Sequence, residues 1–143
     1  MITAGIDCGA KNTKTVILKD GKIIGKSKVL TGFDQEKAVK ESLEESCRDA
    51  GITVEDIGKS GATGSGRDAV KGAVIVNDIK AIGRAACFLF PGARVAADIG
   101  AEEARAAKLD EKGNVVDFVV NEKCAAGAGS FIEAMSRALE TPL

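Results

Sequence analysis

The sequence contains two matching stretches, GIDCGAKNTK at residues 5–14 and AADIGAEEAR at residues 96–105, which superpose at a constant offset of 91 positions. The residues that match at this offset are Asp7 with Asp98, Gly9 with Gly100, Ala10 with Ala101, Lys14 with Arg105 and Leu18 with Leu109. One position later in the second copy, DGKII at residues 20–24 meets KGNVV at residues 112–116. The order of predicted elements repeats as well. The pattern therefore favours an internal duplication of a β-β-β-α unit over chance matching of glycine and alanine.

The first copy has the pattern of a three-stranded meander. Short β-branched runs at residues 2–7 and 13–19 predict two strands, and Asp20-Gly21 is a hairpin signal that leads into a third strand, KIIGKSKVL. A helix is predicted next, because Asp34 is a suitable N-cap and Gly51 a suitable end. Its apolar positions recur about every four residues, at Val39, Leu43, Cys47 and Ala50.

Two further strands and a second helix are predicted before the repeat begins again. The strands are expected at residues 57–62 and in AVIVND at residues 73–78, and the helix from Asp78 to about Phe90. These elements divide the chain into a first lobe at residues 1–92 and the β-β-β-α beginning of a second lobe at residues 93–143.

Composition excludes several classes of function. The 143 residues are 45% apolar and 29% charged, as in a compact globular domain, and the formal net charge is −1. Because the chain has no excess of basic residues, neither nucleic acid nor a membrane surface is an expected partner. Five Phe and no Trp or Tyr also leave few aromatic side chains on which bases could stack. The absence of histidine excludes imidazole bases and histidine-containing zinc sites. No apolar run approaches the roughly 18 residues of a membrane span, so we expect a cytoplasmic protein.

Each copy of the repeat ends an apolar strand in Asp-x-Gly and turns directly into the next strand. Glycine lets the backbone approach an anion, successive N–H groups form an anion-binding concavity, and the aspartate can hold Mg²⁺ through water. A single Asp-x-Gly is usually only a turn. Because the Asp-x-Gly motif occurs at the same place in both copies of the repeat, it indicates phosphate binding. Two such hairpin tips predict a clamp for a triphosphate.

Four motifs carry a resemblance to a known family: GIDCGAKNTK, ATGSGR at residues 62–67, ADIGAEEAR and NEKCAAGAGSFIEAMSRALE at residues 121–140. The chain resembles, over essentially its whole length, the activators of 2-hydroxyacyl-CoA dehydratases and benzoyl-CoA reductases. That family belongs to the actin, sugar-kinase and heat-shock-chaperone superfamily. The resemblance implies an α/β fold with a ribonuclease-H-like lobe, its mixed sheet flanked by helices, and an incomplete second lobe of the same type. It also implies an ATPase that transfers low-potential electrons to a partner enzyme.

The resemblance assigns roles to the residues of both loops. It places the first phosphate loop at residues 9–13, with Asp7 as the carboxylate that organises Mg²⁺ through water, and the second at Asp98, Gly100 and Ala101. The catalytic candidates are Asp7, Asp98 and Glu102. The cofactor-binding candidates are Gly9, Ala10, Lys11, Asn12, Thr13, Lys14, Gly100, Ala101, Gly127 and Gly129.

Both loops depart from the family pattern. The first is usually rich in Ser and Thr where this chain has Ala10, Lys11 and Asn12, so backbone donors remain while hydroxyl contacts are lost. The second usually reads Asp-Ile-Gly-Gly-Gln-Asp, and this chain has DIGAEE. Phosphate binding is thus predicted more directly than hydrolysis. The family's Glu and Cys-His pair ahead of the second lobe are replaced by DIKAI at residues 78–82, which favours a reductase-type branch.

Cys124 differs from Cys8, Cys47 and Cys87 in its surroundings. Glycines follow it, and Ser130 to Glu133 has the pattern of a capping box that opens a helix, whose N-terminus stabilises an anionic thiolate. From the residues alone, a small side chain in a tight turn remains the alternative. The resemblance makes Cys124 a ligand of a 4Fe-4S cluster shared between two subunits, with a second cysteine expected beyond Leu143.

The resemblance also names partners and cofactors. The cofactors are ATP or ADP, Mg²⁺ and the shared 4Fe-4S cluster. The partners are a second identical or paralogous subunit, an acyl-CoA dehydratase or reductase as acceptor, and reduced ferredoxin or flavodoxin as donor. Two alternatives stay open at this point: a phosphotransferase of the same superfamily, similar to sugar or acetate kinases, and a non-catalytic truncated paralogue.

Overall fold

The computed structural model describes residues 1–101, 103–121 and 128–142. Two short 3₁₀ turns occur, at Val54–Asp56 and Arg67–Ala69. The strands are β1 (Ile2–Cys8), β2 (Asn12–Lys19), β3 (Lys22–Leu30), β4 (Lys59–Thr63), β5 (Val74–Ile75), β6 (Val95–Ile99), β7 (Ala104–Leu109) and β8 (Val115–Val120). The helices are α1 (Gln35–Ala50), α2 (Asp78–Leu89) and α3 (Ala128–Ala138).

The chain forms two compact units, Met1–Val76 and Asn77–Leu143. The predicted lobe boundary at residue 92 stays a prediction. Among the described residues, no helix combines the length and apolar character that crossing a bilayer requires.

The first unit is a five-stranded sheet in the order β3-β2-β1-β4-β5 with α1 on one face. β1 pairs antiparallel with β2 and parallel with β4, so the sheet is mixed. The α1 helix begins where predicted, because the Asp34 carboxylate accepts the Lys37 N–H at 3.0 Å, and it ends at Gly51 in the left-handed conformation, φ 67°. Its apolar side packs on the sheet in two clusters that include Ile6, Cys8 and Val39, and Ala4, Ile17 and Cys47.

A buried polar cluster completes the contact between α1 and the sheet. The hydroxyls of Thr15 on β2 and Ser42 on α1 are 2.8 Å apart, and Ser27 on β3 lies 2.7 Å from the same Ser42 hydroxyl. Ser27 also donates to the Ser42 carbonyl at 2.6 Å. Each hydroxyl therefore has a partner, as buried polar groups require.

The second unit is an antiparallel sheet in the order β6-β7-β8. The α2 helix begins after Asn77, whose side-chain oxygen accepts the Ile79 N–H at 3.0 Å. The helix covers one face of the sheet and forms a small core with it, whose buried members are Ile79, Ala96, Ala107 and Leu109.

The predicted duplication is confirmed by strand register. Both hairpins pair equivalent residues at the offset of 91, and the irregularity in the second strand falls at equivalent positions, between Ile17 and Leu18 and between Lys108 and Leu109. Beyond it the offset becomes 92, as the turn sequences predict. Equivalent cross-strand pairs are Asp7–Lys14 with Asp98–Arg105, Cys8–Thr13 with Ile99–Ala104, and Thr15–Ser27 with Ala106–Val119.

Three predicted boundaries were wrong. β4 begins at Lys59 rather than residue 57, because the preceding residues form a 3₁₀ turn and the Gly58 N–H donates to the Ile2 carbonyl at 3.0 Å. β5 is only two residues long, since Asn77 caps α2 directly after it. α3 begins at Ala128, so Ser130 lies inside the first helical turn and does not occupy the predicted capping position.

Candidate functional site

Asp7 lies near the end of β1, the central strand of the first sheet. Its cross-strand neighbours are Lys14 on β2 and Thr63 on β4. The Lys14 ammonium group donates to the Asp7 oxygen Oδ2 at 3.0 Å, and both side chains are substantially exposed. A carboxylate in this position reaches solvent, and its exposed lysine partner is held only weakly.

The β1–β2 hairpin closes immediately beyond Asp7. The Gly9 N–H donates to the Asn12 carbonyl at 3.1 Å, and a Cβ on Gly9 would lie only 2.9 Å from that same oxygen. Glycine is therefore needed for this close approach. Ala10 and Lys11 form the exposed tip between these two residues.

Thr31 forms two hydrogen bonds to the backbone of the hairpin tip. Its hydroxyl donates to the Gly9 carbonyl at 2.7 Å, and its N–H donates to the Lys11 carbonyl at 3.0 Å. The buried Thr13 hydroxyl lies 3.0 Å from the Thr31 hydroxyl and 3.6 Å from Cys8 Sγ. The Thr13 side chain therefore supports the tip from inside the protein, and its predicted contact with phosphate stays a prediction.

The glycine-rich turn after β4 also contacts this site, although no residue in it was predicted as a ligand. The Gly66 N–H donates to the Cys8 carbonyl at 2.8 Å. Gly64 has φ +90°, and a Cβ there would lie 2.5 Å from the Cys8 carbonyl oxygen and 2.6 Å from the Asp7 oxygen Oδ1. Gly64 therefore sets the space around the Asp7 carboxylate. The sequence signal was the run of glycines in ATGSGR directly after a strand.

The second unit repeats the hairpin geometry at Asp98. The Gly100 N–H donates to the Glu103 carbonyl at 2.8 Å, which is the equivalent of the Gly9 bond to Asn12. A Cβ on Gly100 would lie 3.2 Å from the Glu103 oxygen. Two strand ends thus carry an aspartate two residues before a glycine whose N–H closes a tight turn.

Arg105 takes the position of Lys14 in the second hairpin but forms different contacts. Its guanidinium donates to the Glu103 carboxylate and lies 3.4 Å from an oxygen of Asp78, the first residue of α2. Burial opposes the Arg105 charge, but the hydrogen bond to Glu103 and the charges of Asp78, Glu103 and Asp98 outweigh it and raise the pKa of Arg105. A groove of about 540 Å³ lies beside Asp78, Glu103 and Arg105. Its lining also includes Lys80, Val116 and Phe118.

The start of α3 lies against the second hairpin. A Cβ on Gly129 would lie 3.0 Å from the Gly100 carbonyl oxygen and 3.7 Å from the Ala101 Cα. A side chain on Gly129 would therefore fit only if its neighbours moved by a few tenths of an ångström, so the helix start and the loop lie close together.

The chain matches the BadF/BadG/BcrA/BcrD ATPase family over residues 4–143. The chain belongs to this ATPase family. It is 41% identical over 147 residues to the activator of lactoyl-CoA dehydratase from Anaerotignum propionicum, a match that covers 100% of this chain and 56% of that protein. The chain thus spans about half the length of the curated relatives it matches.

Two solved structures of such activators are similar to this ATPase-family chain. Component A of the (R)-2-hydroxyglutaryl-CoA dehydratase from Acidaminococcus fermentans superposes with a TM-score of 0.86 at 32% identity, covering 99% of this chain and 55% of that one. The activator of the 2-hydroxyisocaproyl-CoA dehydratase from Clostridium difficile, solved with bound ADPNP, gives 0.85 at 33% identity, covering 99% and 53%. The expected α/β fold, with a mixed sheet flanked by helices as in actin-like ATPases, is confirmed.

Several predicted site residues of this ATPase-family chain lie outside the described residues. They are the catalytic candidate Glu102, the cluster-ligand candidate Cys124 and the cofactor candidate Gly127. The structure places the others at the two hairpin tips or, for Gly129, at the start of α3, and their roles stay predictions. Within the described ranges, no three His, Cys, Asp or Glu side chains come together as a metal-binding group.

Proposed function

We propose that this chain is the ATP-binding part of an activator that uses ATP hydrolysis to deliver low-potential electrons to a 2-hydroxyacyl-CoA dehydratase or a benzoyl-CoA reductase. The observation that carries the proposal is the repeated hairpin, in which Gly9 and Gly100 form the same closing hydrogen bond next to Asp7 and Asp98. Family membership supports the ATPase assignment. The two solved relatives are both named for dehydratases, which favours the dehydratase branch over the reductase branch that DIKAI suggested.

The first hairpin supplies the groups that a metal-bound phosphate requires. The backbone of Ala10 and Lys11 forms an exposed tip, and the Lys11 side chain adds a positive charge. Asp7 fits Mg²⁺ bound through water, because its carboxylate is exposed and Mg²⁺ typically uses one or two carboxylates and keeps several waters. The ion would neutralise phosphate charge. Lys14 would then turn from Asp7 towards the phosphate oxygens.

The second hairpin supplies the catalytic carboxylates. Asp98 stands where Asp7 stands in the first copy, and Arg105 is fixed by Asp78 and Glu103 rather than by Asp98. We propose that Asp98 orients the attacking water, with Glu102 as a second carboxylate of the same loop. The phosphotransferase alternative is not favoured, because the relatives matched in sequence include three dehydratase activators and a subunit of benzoyl-CoA reductase.

The electron-transfer part of the proposal rests on Cys124. We propose that this cysteine is a ligand of a 4Fe-4S cluster that is shared with a second identical or paralogous subunit. The cluster accepts electrons from reduced ferredoxin or flavodoxin in the cytoplasm. The described cysteines do not suit this role: Cys8 and Cys47 are buried in the core of the first unit, and Cys87 is half-buried.

The experiment is anaerobic reconstitution of the chain with iron and sulfide, followed by removal of unbound iron. Iron and acid-labile sulfide per chain are measured for the native protein, Cys124→Ser and the control Cys87→Ser. We expect iron in the native and Cys87→Ser proteins and at least a tenfold loss in Cys124→Ser. Equal iron in all three, or none in any, would contradict the cluster assignment. Binding of Mg-ADPNP by the same samples tests the nucleotide assignment independently. A non-catalytic paralogue would bind neither iron nor Mg-ADPNP, which distinguishes it from the proposed activator.

A further inference from the structure

Asp98 and Arg105 are directly opposite each other on β6 and β7, as Asp7 and Lys14 are on β1 and β2. Side chains at such positions start about 5 Å apart, so opposite charges are within reach of each other. Lys14 uses this reach, because its ammonium group lies 3.0 Å from Asp7. Within the described ranges, however, the exposed Asp98 carboxylate forms no hydrogen bond or ion pair. The second hairpin therefore leaves free the carboxylate that the first hairpin pairs.

Two other carboxylates hold the Arg105 guanidinium. Its Nε atom donates to Glu103 Oε2 at 3.0 Å, and an Nη atom donates to the same oxygen. The other Nη atom lies 3.4 Å from Asp78 Oδ2. The side chains of Arg105 and Asp78 are each only 19% exposed, so water screens their attraction less than it screens an exposed pair. The guanidinium is thus held on two sides, and neither side is Asp98.

The position of α2 explains where Arg105 turns. Along their strands, Asp98 lies two residues from Ala96 and Arg105 two residues from Ala107. Because Ala96 and Ala107 belong to the core under α2, all four side chains lie on the sheet face that this helix covers. Asp78 is the first residue of α2. The helix therefore brings a competing carboxylate onto the face that Asp98 and Arg105 share.

The first hairpin has neither of these competitors. Asp7 alternates along β1 with Ile6 and Cys8, whose side chains pack in the core under α1, so its own side chain faces away from that helix. Asn12 stands at the position equivalent to Glu103 and carries no charge. The lysine of this hairpin is left with the carboxylate directly across the strand pair.

We infer that Asp78 and Glu103 are positioning residues, which compete for the guanidinium and so keep the Asp98 carboxylate free to hold water. A carboxylate already bound by a guanidinium has fewer acceptor sites left for water. What the free carboxylate then does rests on the proposed function, in which Asp98 orients the attacking water. If both competitors are made neutral, Arg105 should turn to Asp98 and reproduce the pairing of the first hairpin.

Exchange of the Arg105 guanidinium N–H protons with water, measured by NMR on the full chain without nucleotide, tests this pairing. The substitution Asp98→Asn is made in the native chain and in the Asp78→Asn/Glu103→Gln variant. In the native chain it should change the exchange rate by less than twofold, because the donated protons go to Glu103 and Asp78. In the variant it should speed exchange at least fivefold, because Asp98 has become the acceptor.

The matched control is Arg84→Gln, which loosens α2 at another place. Arg84 donates to the Lys112 carbonyl at 3.2 Å and to Asn114 Oδ1 at 3.0 Å, and so joins the helix to the β7–β8 turn. This substitution should change exchange of the Arg105 protons by less than twofold. A change as large as that in the Asp78→Asn/Glu103→Gln variant would overturn the inference, because loosening of α2 alone would then account for the effect.

Two further results would overturn the inference. A fivefold effect of Asp98→Asn already in the native chain would show that Arg105 is paired with Asp98 from the start. A small effect in both backgrounds would show that the two carboxylates do not compete with Asp98. If the Asp78→Asn/Glu103→Gln protein does not fold, the single variants Asp78→Asn and Glu103→Gln replace it, each with an expected intermediate effect and the same contradicting outcomes.

The role of the free carboxylate is measured separately. Addition of Mg-ADPNP should shift the carboxyl carbon resonance of Asp98 in the native chain, and by at most half as much in the Asp78→Asn/Glu103→Gln variant. No shift in either protein would contradict the part that the proposed function gives to Asp98. The exchange rates, obtained without nucleotide, would still decide which carboxylates hold Arg105.

Discussion

The Lys14 ammonium group lies 3.0 Å from the Asp7 carboxylate across β1 and β2, whereas its repeat equivalent Arg105 lies 3.4 Å from Asp78 on α2. The two hairpins share backbone geometry but differ in how their cations are held. The Lys14–Asp7 pair is exposed, so it contributes little to stability and exchanges readily for a cation or phosphate. Arg105 is largely buried among carboxylates, so it holds the hairpin to α2.

Replacing Asp7 by asparagine tests the proposed magnesium ligand. Asp7→Asn should weaken binding of Mg-ADPNP at least tenfold, because a neutral amide holds hydrated Mg²⁺ poorly. Binding of ADPNP in excess EDTA should change by less than threefold, and the melting temperature should hardly move because the ion pair is exposed. The measurement is calorimetric titration with and without Mg²⁺. An equal loss under both conditions would exclude a metal-specific role for Asp7.

The glycine beside Asp7 is tested by a matched pair of substitutions. Gly64→Ala and Gly72→Ala both place alanine at a positive φ, which costs about 1–2 kcal/mol of stability. A Cβ introduced at Gly64 meets the Asp7 carboxylate and the Cys8 carbonyl, whereas a Cβ introduced at Gly72 has nothing within 4 Å. Gly64→Ala should therefore lower Mg-ADPNP affinity at least fivefold and Gly72→Ala should not. Similar affinities for both variants would show that the Gly64 contact does not position Asp7.

The tight hairpin predicts a stability difference between two glycines in one segment. Gly9→Ala brings a Cβ within 2.9 Å of the Asn12 carbonyl oxygen and should destabilise the fold by about 1–3 kcal/mol. Gly5→Ala meets nothing within 4 Å and should be neutral or stabilise by about 0.5–1 kcal/mol. Urea denaturation of both variants measures the difference. A Gly9→Ala protein as stable as Gly5→Ala would contradict the described turn.

The thiol of Cys47 should react slowly and only at high pH. Burial, followed by the charges of Glu55 and Asp56, raises the pKa of Cys47 above that of an ordinary thiol. Because the folded protein holds this proton more tightly than the unfolded chain, stability falls as pH rises past the ordinary thiol value. Alkylation mapped by mass spectrometry at pH 7 and pH 9 should modify half-buried Cys87 well before Cys47. Faster labelling of Cys47 would contradict its placement in the core.

Features encoded by neighbouring residues could be predicted from the sequence. Both hairpins, the N-cap at Asp34 and the helix end at Gly51 depend on short-range signals, and the structure contains them. The internal repeat added a longer-range prediction, because its constant offset predicted equivalent strand pairing in both units.

Contacts between distant segments were not predictable in the same way. The approach of Gly64 to Asp7 depends on the parallel pairing of β1 with β4, and the Arg105–Asp78 ion pair depends on how α2 packs against β7. Neither leaves a periodic pattern in the chain. The short β5 likewise reflects competition with the Asn77 cap, which shortens a strand that its apolar residues would otherwise extend.

The most direct test of the proposed nucleotide site is an amide chemical-shift map of the chain titrated with Mg-ADPNP. Both hairpins should respond, at residues 9–13 and at residues 98–101, because both are assigned to phosphate binding. The turn at Asp110 to Asn114, a hairpin of the second sheet closed by hydrogen bonds to the Asp110 carboxylate, serves as the internal control and should not respond. Shifts confined to the control turn, or no saturable shift at either Asp-x-Gly hairpin, would contradict the account.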